Sequence, residues 1–303
     1  MSADDKYPGD SGRRRFVKGV VGGASLAGLG AVGSATVNSL TASSGSGGGA
    51  TEAMAIENVA GPAPRGMPQI PIEIDDQGAI LGVWPEVETV TEQGIEVKIA
   101  ETQIGGRTYS TEWFQYCGVE TYQGVQPAYE PEGGNYFHAG DQPGYEWQTE
   151  AMSGGDQFTV DMFSDYQEWG NGIGAAGMGK PATGTWRSQD TEDVIPIQLM
   201  RSPVIEQLAN SGSADAPNGE TYEVDSSTQE WLSGSTSQGF IAWLNKCTHF
   251  CCVPGFKSNP GSARYGAADG VYCPCHQSVY VPYSITPTLF TARPRPDDSG
   301  SGE

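Results

Sequence analysis

The chain has 303 residues and sets 37 acids against 16 bases, a formal net charge of −21 at neutral pH. Charge this negative repels phosphate backbones and anionic lipid, which excludes nucleic acid and other polyanions as ligands. It suits a halophile-like surface, kept soluble in concentrated salt where screening removes the self-repulsion. The chain's 43 glycines and 20 prolines favour short strands and many turns over long helices.

Residues 1–18 form a basic n-region ending in Arg13-Arg14-Arg15-Phe16-Val17-Lys18, and residues 19–40 carry no charge. The run of arginines followed by Phe, Val and Lys resembles the twin-arginine export signal, which carries proteins already folded around a cofactor. At about 1.5 Å per residue the uncharged stretch reaches about 33 Å, enough for a hydrocarbon core of about 30 Å. Small residues recur four apart at Gly19, Gly23 and Ala27, a spacing that lets one membrane helix pack on another. We therefore expect a retained single-pass transmembrane helix in the cell membrane, with everything after residue 40 on the outer face.

Residues 41–69 read as a flexible Ser/Gly/Ala linker, and residues 70–293 as the folded domain. Alternation at Ile70–Ile74 and Ile95–Ile99 predicts strands, as do the apolar runs Val194–Met200 and Gly239–Leu244. Residues 115–185, rich in Gly, Tyr, Trp and acids, read as an irregular insertion, and a short helix is expected around Pro203–Ala209. Residues 294–303 read as a disordered tail.

Five of the six cysteines and two of the three histidines fall between Cys247 and Ser278, in Cys247-Thr248-His249-Phe250-Cys251-Cys252 and Cys273-Pro274-Cys275-His276-Gln277-Ser278. Cys247, His249, Cys273 and His276 supply two thiolates and two imidazoles. A structural zinc site of this composition is usually built from a Cys pair and a separate His pair. Here each loop mixes one Cys with one His, which suits a dinuclear cluster with both thiolates on one iron and both imidazoles on the other. A c-type haem is excluded, because no C-x-x-C-H occurs.

The two loops resemble those of the Rieske 2Fe–2S proteins, in the high-potential branch of cytochrome bc- and bf-type complexes. The resemblance implies an all-β fold: an antiparallel β-sandwich base with a small cluster-binding subdomain, here residues 246–282. It implies that Cys247 and Cys273 hold an inner iron, His249 and His276 an outer exposed one, and that Cys252 and Cys275 form a disulfide clamping the loops. Ser278 and Tyr280 fall where the family places hydroxyl donors to the cluster's sulfurs. Cys251 and Gln277 depart from it, standing where the family commonly has Gly. We expect Cys251 to be a free buried thiol, although a bridge to Cys117 or Cys275 is the alternative. The proline-rich loop that covers such clusters is not evident; Pro282 and Pro287 are the candidates.

The function this implies is that of the electron-transfer subunit of a respiratory quinol-oxidising oxidoreductase. It would pass one electron from a quinol held by a cytochrome b-type membrane subunit to an external cytochrome or copper protein. In that mechanism the exposed imidazole of His249 or His276 takes the quinol's proton. The alternative is a Rieske subunit feeding a nitrate-reductase-type or arsenite-oxidase-like complex. A ring-hydroxylating oxygenase is excluded, because His138 alone cannot supply the two further histidines of its mononuclear iron. His138 is expected to be a satisfied core or surface residue.

Overall fold

The computed structural model describes residues 50–92, 95–110, 134–188 and 194–291. The expected n-region, membrane segment, tail and Cys117 lie outside these residues. Among the described residues no helix is long and apolar enough to cross a membrane.

In chain order, β1 (Ala50–Ala60) and β2 (Met67–Ile70) come first, then β3 (Ile72–Ile74) and β4 (Ile80–Gly82). A meander of β5 (Val87–Glu92), β6 (Ile95–Ile104) and β7 (Arg107–Ser110) follows. Next come β8 (Phe137–Ala139), the short helix α1 (Glu146–Ala151), a 3₁₀ turn at Val160–Phe163, β9 (Lys180–Trp186) and β10 (Ile195–Arg201). The helices α2 (Pro203–Ser211) and α3 (Ser226–Ser235) flank the hairpin of β11 (Ser213–Asp215) and β12 (Thr221–Glu223). The chain then enters β13 (Phe240–Leu244), β14 (Gly255–Phe256), β15 (Val271–Cys273) and the long β16 (Ser278–Thr291).

The fold is mostly antiparallel β, built on a nine-stranded sheet in the order β14-β15-β16-β1-β2-β13-β10-β9-β8. The expected strand at Ile70–Ile74 is two strands, because Pro71 has no N–H to offer a ladder and breaks it between β2 and β3. The expected strands at Val194–Met200 and Gly239–Leu244 are β10 and β13, paired from Ile197↔Leu244 to Arg201↔Phe240. Gly239 itself sits outside β13 at φ 79, a left-handed turn that glycine adopts without steric cost.

Two expectations are corrected. Residues 50–69 are not a flexible linker. β1 pairs with β16 from Ala50↔Thr291 to Ala60↔Val279, and β2 pairs with β13, so this segment joins the two halves of the sheet. The Ser/Gly composition upstream and the prolines downstream mask a strand in which Ala53, Met54, Ala55 and Ile56 are all buried. Likewise the irregular insertion ends in an interior strand. β9 pairs on one side with β10 and on the other with β8, and its Ala182 and Trp186 are fully buried.

The helices follow their capping residues. Ser202 accepts from Val204 N at the start of α2, Pro203 fills the first turn, and Gly212 at φ 75 ends it. Asp225 accepts from Thr228 N at the start of α3. α3 is then tied to β2 through buried polar groups: Trp231 Nε1 donates to Gln69 Oε1 at 2.8 Å, and Gln69 Nε2 donates to Ser235 Oγ at 3.0 Å. Trp186, Trp231, Trp243 and Phe240 form the apolar centre, each burial being worth about 1.5–3 kcal/mol or more. His138, in β8, is buried at 6% exposure, and its burial holds its pKa below the usual imidazole value.

Candidate metal centre

β13 leads straight into the first ligand loop, and the hairpin between β15 and β16 forms the second, with Cys273 opposite Ser278. The first loop folds back on itself: Cys247 N donates to Cys252 O at 2.7 Å and Cys251 N to Cys247 O at 2.9 Å. Both turns require left-handed backbone. Cys251 has φ 58 and Gln277 φ 65, a region in which an L side chain costs about 1–2 kcal/mol. These are the two positions where the Rieske pattern has glycine, and the backbone shows why glycine suits them.

A disulfide joins Cys252 to Cys275 across the two loops, spanning 23 residues of sequence. Cys251 is not a free buried thiol: it is exposed and itself disulfide-bonded. Cys247 and Cys273 are buried and in no disulfide, so their sulfurs could serve as donors.

The site is graded from sulfur inside to imidazole outside. Cys247 is 1% and Cys273 0% exposed, whereas His249 is half-buried and His276 exposed. The two rings meet edge to face, with centroids 4.7 Å apart and planes at 81°. Phe250 packs on both, at 4.4 Å from the ring of His249 and 5.1 Å from that of His276. His249 Nδ1 is buried with no hydrogen-bond partner among the described residues. An orphaned acceptor of this kind needs a partner to offset its desolvation, and a metal ion supplies one.

The two thiols are hydrogen-bonded partners. A hydrogen bond from the Cys273 thiol draws Cys247 well below the usual thiol range, and the Tyr280 hydroxyl and Ser278 add to the effect. The same contact pushes Cys273 up. Tyr280 Oη donates to Cys247 Sγ at 3.1 Å and accepts from Thr248 N at 3.2 Å. Ser278, fully buried, accepts from Ala63 N at 3.2 Å. Tyr280 thus reaches the Cys247 sulfur, and Ser278 is held beside it by the Ala63 amide.

The sulfurs of Cys252, Cys273 and Cys275 lie within 4.8 Å of one another, but the disulfide consumes two of them, which leaves Cys273 alone as a donor. Among the described residues no three of the ligand atoms of Cys247, His249, Cys273 and His276 come that close together. The four form two pairs, thiols below and imidazoles above.

Residues 61–66 are part of the site and were not singled out from the sequence. This strap, Gly61-Pro62-Ala63-Pro64-Arg65-Gly66, lies across both ligand loops. Besides the bond from Ala63 to Ser278, Thr248 Oγ1 donates to Arg65 O at 2.6 Å and Arg65 N donates back to Thr248 Oγ1 at 3.3 Å. Gly61, at φ 85, sits so close that a Cβ would lie 2.5 Å from Gln277 O and Ser278 Cα. Pro282 and Pro287, the expected covering prolines, are instead strand residues of β16. The signal in the sequence was the pair Pro62 and Pro64, which the linker reading absorbed.

Behind the loops, Lys257 is fully buried and pairs with Asp269 at 2.8 Å. Asp269 also accepts from Ala175 N at 2.9 Å, and Asn171 donates to Lys257 O at 2.7 Å. The former insertion thus braces the subdomain that carries the ligand loops. No protein-family model, curated protein or solved structure matches this chain. The functional reading rests on the chemistry of the site.

Proposed function

We propose that Cys247 and Cys273 hold the inner iron and His249 and His276 the outer iron of a Rieske-type 2Fe–2S cluster. The observation that carries this reading is the two-tier donor set: two buried thiols outside any disulfide, two imidazoles in edge-to-face contact and one orphaned ring nitrogen, inside disulfide-clamped loops. Each loop contributes one thiol and one imidazole, with the thiols buried and the imidazoles nearer the surface, an arrangement that suits two irons with different ligands better than one zinc.

When bound, such a cluster supplies a one-electron couple of raised potential, because neutral nitrogens replace two thiolates. The chain's own residues do the rest. Tyr280 and Ser278 donate to the buried sulfur side and stabilise added negative charge there. With His249 Nδ1 turned inward, its Nε2 is left for the surface, where it accepts a hydrogen bond and then a proton from a substrate hydroxyl. His276, more exposed, offers the same function at its outer nitrogen.

On this reading the chain is the electron-transfer subunit of a membrane quinol-oxidising complex. A cytochrome b-type subunit presents the quinol, and an external cytochrome or copper protein takes the electron. EPR of ascorbate-reduced membranes, with and without a quinol-site inhibitor, tests it. A Rieske-type signal that moves with the inhibitor is expected; no such signal sinks the cluster assignment.

A further inference from the structure

The charge of this chain is not spread evenly. Acids make up 37 of its 303 residues, yet residues 246–282 contain a single acid, Asp269, against Lys246, Lys257 and Arg264. Asp269 is spent on the buried Lys257. The strap at 61–66 contributes Arg65 and no acid. The loops that present His249 and His276 therefore form a cap whose one acid is neutralised, while the other 36 acids lie elsewhere in the chain.

That cap is also where apolar side chains are exposed. Phe250 is 65%, Val253 57% and Tyr265 42% exposed, and Arg264 is exposed next to Tyr265. Tyr265 stacks on Tyr272 at 5.2 Å, and its hydroxyl accepts from Gln277 Nε2 at 3.2 Å, which joins it to the second ligand loop. Exposed apolar side chains beside an exposed base, Arg264, are the composition of a docking face for an anionic partner surface.

We propose that this cap docks the electron-acceptor protein through an acceptor surface of the opposite pattern, an apolar centre rimmed by carboxylates. The inference deepens the functional reading above and rests on it. An acceptor with basic docking residues would be drawn to the acidic body and held away from the imidazoles. A carboxylate-rimmed acceptor is repelled by the body and accepted only at the cap, so the charge pattern steers the encounter to the site that delivers the electron.

The test uses small redox probes on the full-length, ascorbate-reduced holoprotein in stopped flow. One electron passes from the reduced protein to anionic ferricyanide, giving ferrocyanide, or to cationic tris(phenanthroline)cobalt(III), giving the cobalt(II) complex. At about 0.1 M salt the Debye length is about 10 Å, so charges near the cap dominate over the distant body. Between about 0.1 and 1 M the ferricyanide rate is expected to fall and the cobalt rate to rise. Arg264→Glu, a change of two charges about 10 Å from a trivalent anion, should slow ferricyanide about fivefold at about 0.1 M. Arg264→Gln should slow it by roughly half that amount on the logarithmic scale.

A ferricyanide rate that rises with salt, with no response to either variant, overturns the proposal. A second readout does not depend on the cluster. Paramagnetic hexacyanochromate(III) should broaden the Phe250 and Tyr265 ring signals before those of the body, and hexaamminechromium(III) should not. If the chain shows no Rieske signal, the functional reading fails, and this broadening still decides the sign of the cap. Preferential broadening of the cap by the cation overturns the proposal in either case.

Discussion

Gly61→Ala isolates the work of the strap over the ligand loops. Gly61 has φ 85, and an added Cβ would lie 2.5 Å from Gln277 O and Ser278 Cα, both backbone atoms that cannot swing aside. Gly78 provides the control: it has φ 82 and nothing within 4 Å of its Cβ position. Both substitutions cost about 1–2 kcal/mol for placing an L side chain in left-handed backbone. Only Gly61→Ala must also lift the strap. Lifting breaks the Ala63–Ser278 and Asn58–Val279 hydrogen bonds and strains the Thr248–Arg65 pair. At about 1 kcal/mol net for each bond, the extra loss is about 2–4 kcal/mol. Urea unfolding of both variants at constant salt measures the difference, and iron content per chain reads whether the ligand loops still assemble. Equal destabilisation of the two variants, with iron content unchanged, would refute the view that the strap holds the site.

Tyr280→Phe removes the donor 3.1 Å from Cys247 Sγ. A differential loss of about 1 kcal/mol on reduction lowers the potential by about 40 mV, read by EPR-monitored redox titration; an unchanged potential would rule out the assigned donor. Cys252→Ser opens the bridge that spans 23 residues and should cost about 3 kcal/mol in urea unfolding under oxidising conditions; no loss would mean the clamp carries no stability. His138 has its pKa lowered by burial. Between that folded value and the unfolded value of about 6.5 the unfolded chain binds the extra proton. Stability is therefore intact above about 6.5 and is lost as pH falls through the folded value. His138→Phe should flatten that slope, and parallel slopes in the two proteins would contradict it.

The cluster of thiols and imidazoles was legible in the sequence because its information is local: Cys247 with His249, and Cys273 with His276, each lie within one short loop. The structure then adds what spacing cannot: the thiols are buried, and the imidazoles meet edge to face nearer the surface. One helix, α2, was legible for the same reason, since Ser202-Pro203 and Gly212 mark its ends within its own span, whereas α1 and α3 were not expected.

What misled the sequence reading was pairing over long distances. β1 reads as linker because its composition is small and polar, yet it gains a ten-position ladder with β16 and over 200 residues of sequence lie between the two. β9 reads as irregular because Gly184 and Pro181 interrupt it, but β8 and β10 complete its hydrogen bonds. A strand's stability comes from the partner that satisfies its backbone, and that partner is absent from any local window.

The sequence by itself determined the chemistry of this protein: which side chains can hold metal, how they are spaced, and that acids avoid residues 246–282. Only the tertiary structure decided how that chemistry is held. It brought residues 61–66 across the ligand loops, buried Lys257 against Asp269 behind them, and oriented Tyr280 towards Cys247. Donor identity is a property of single residues, whereas burial, orientation and hydrogen-bond partnership arise only when distant segments pack together.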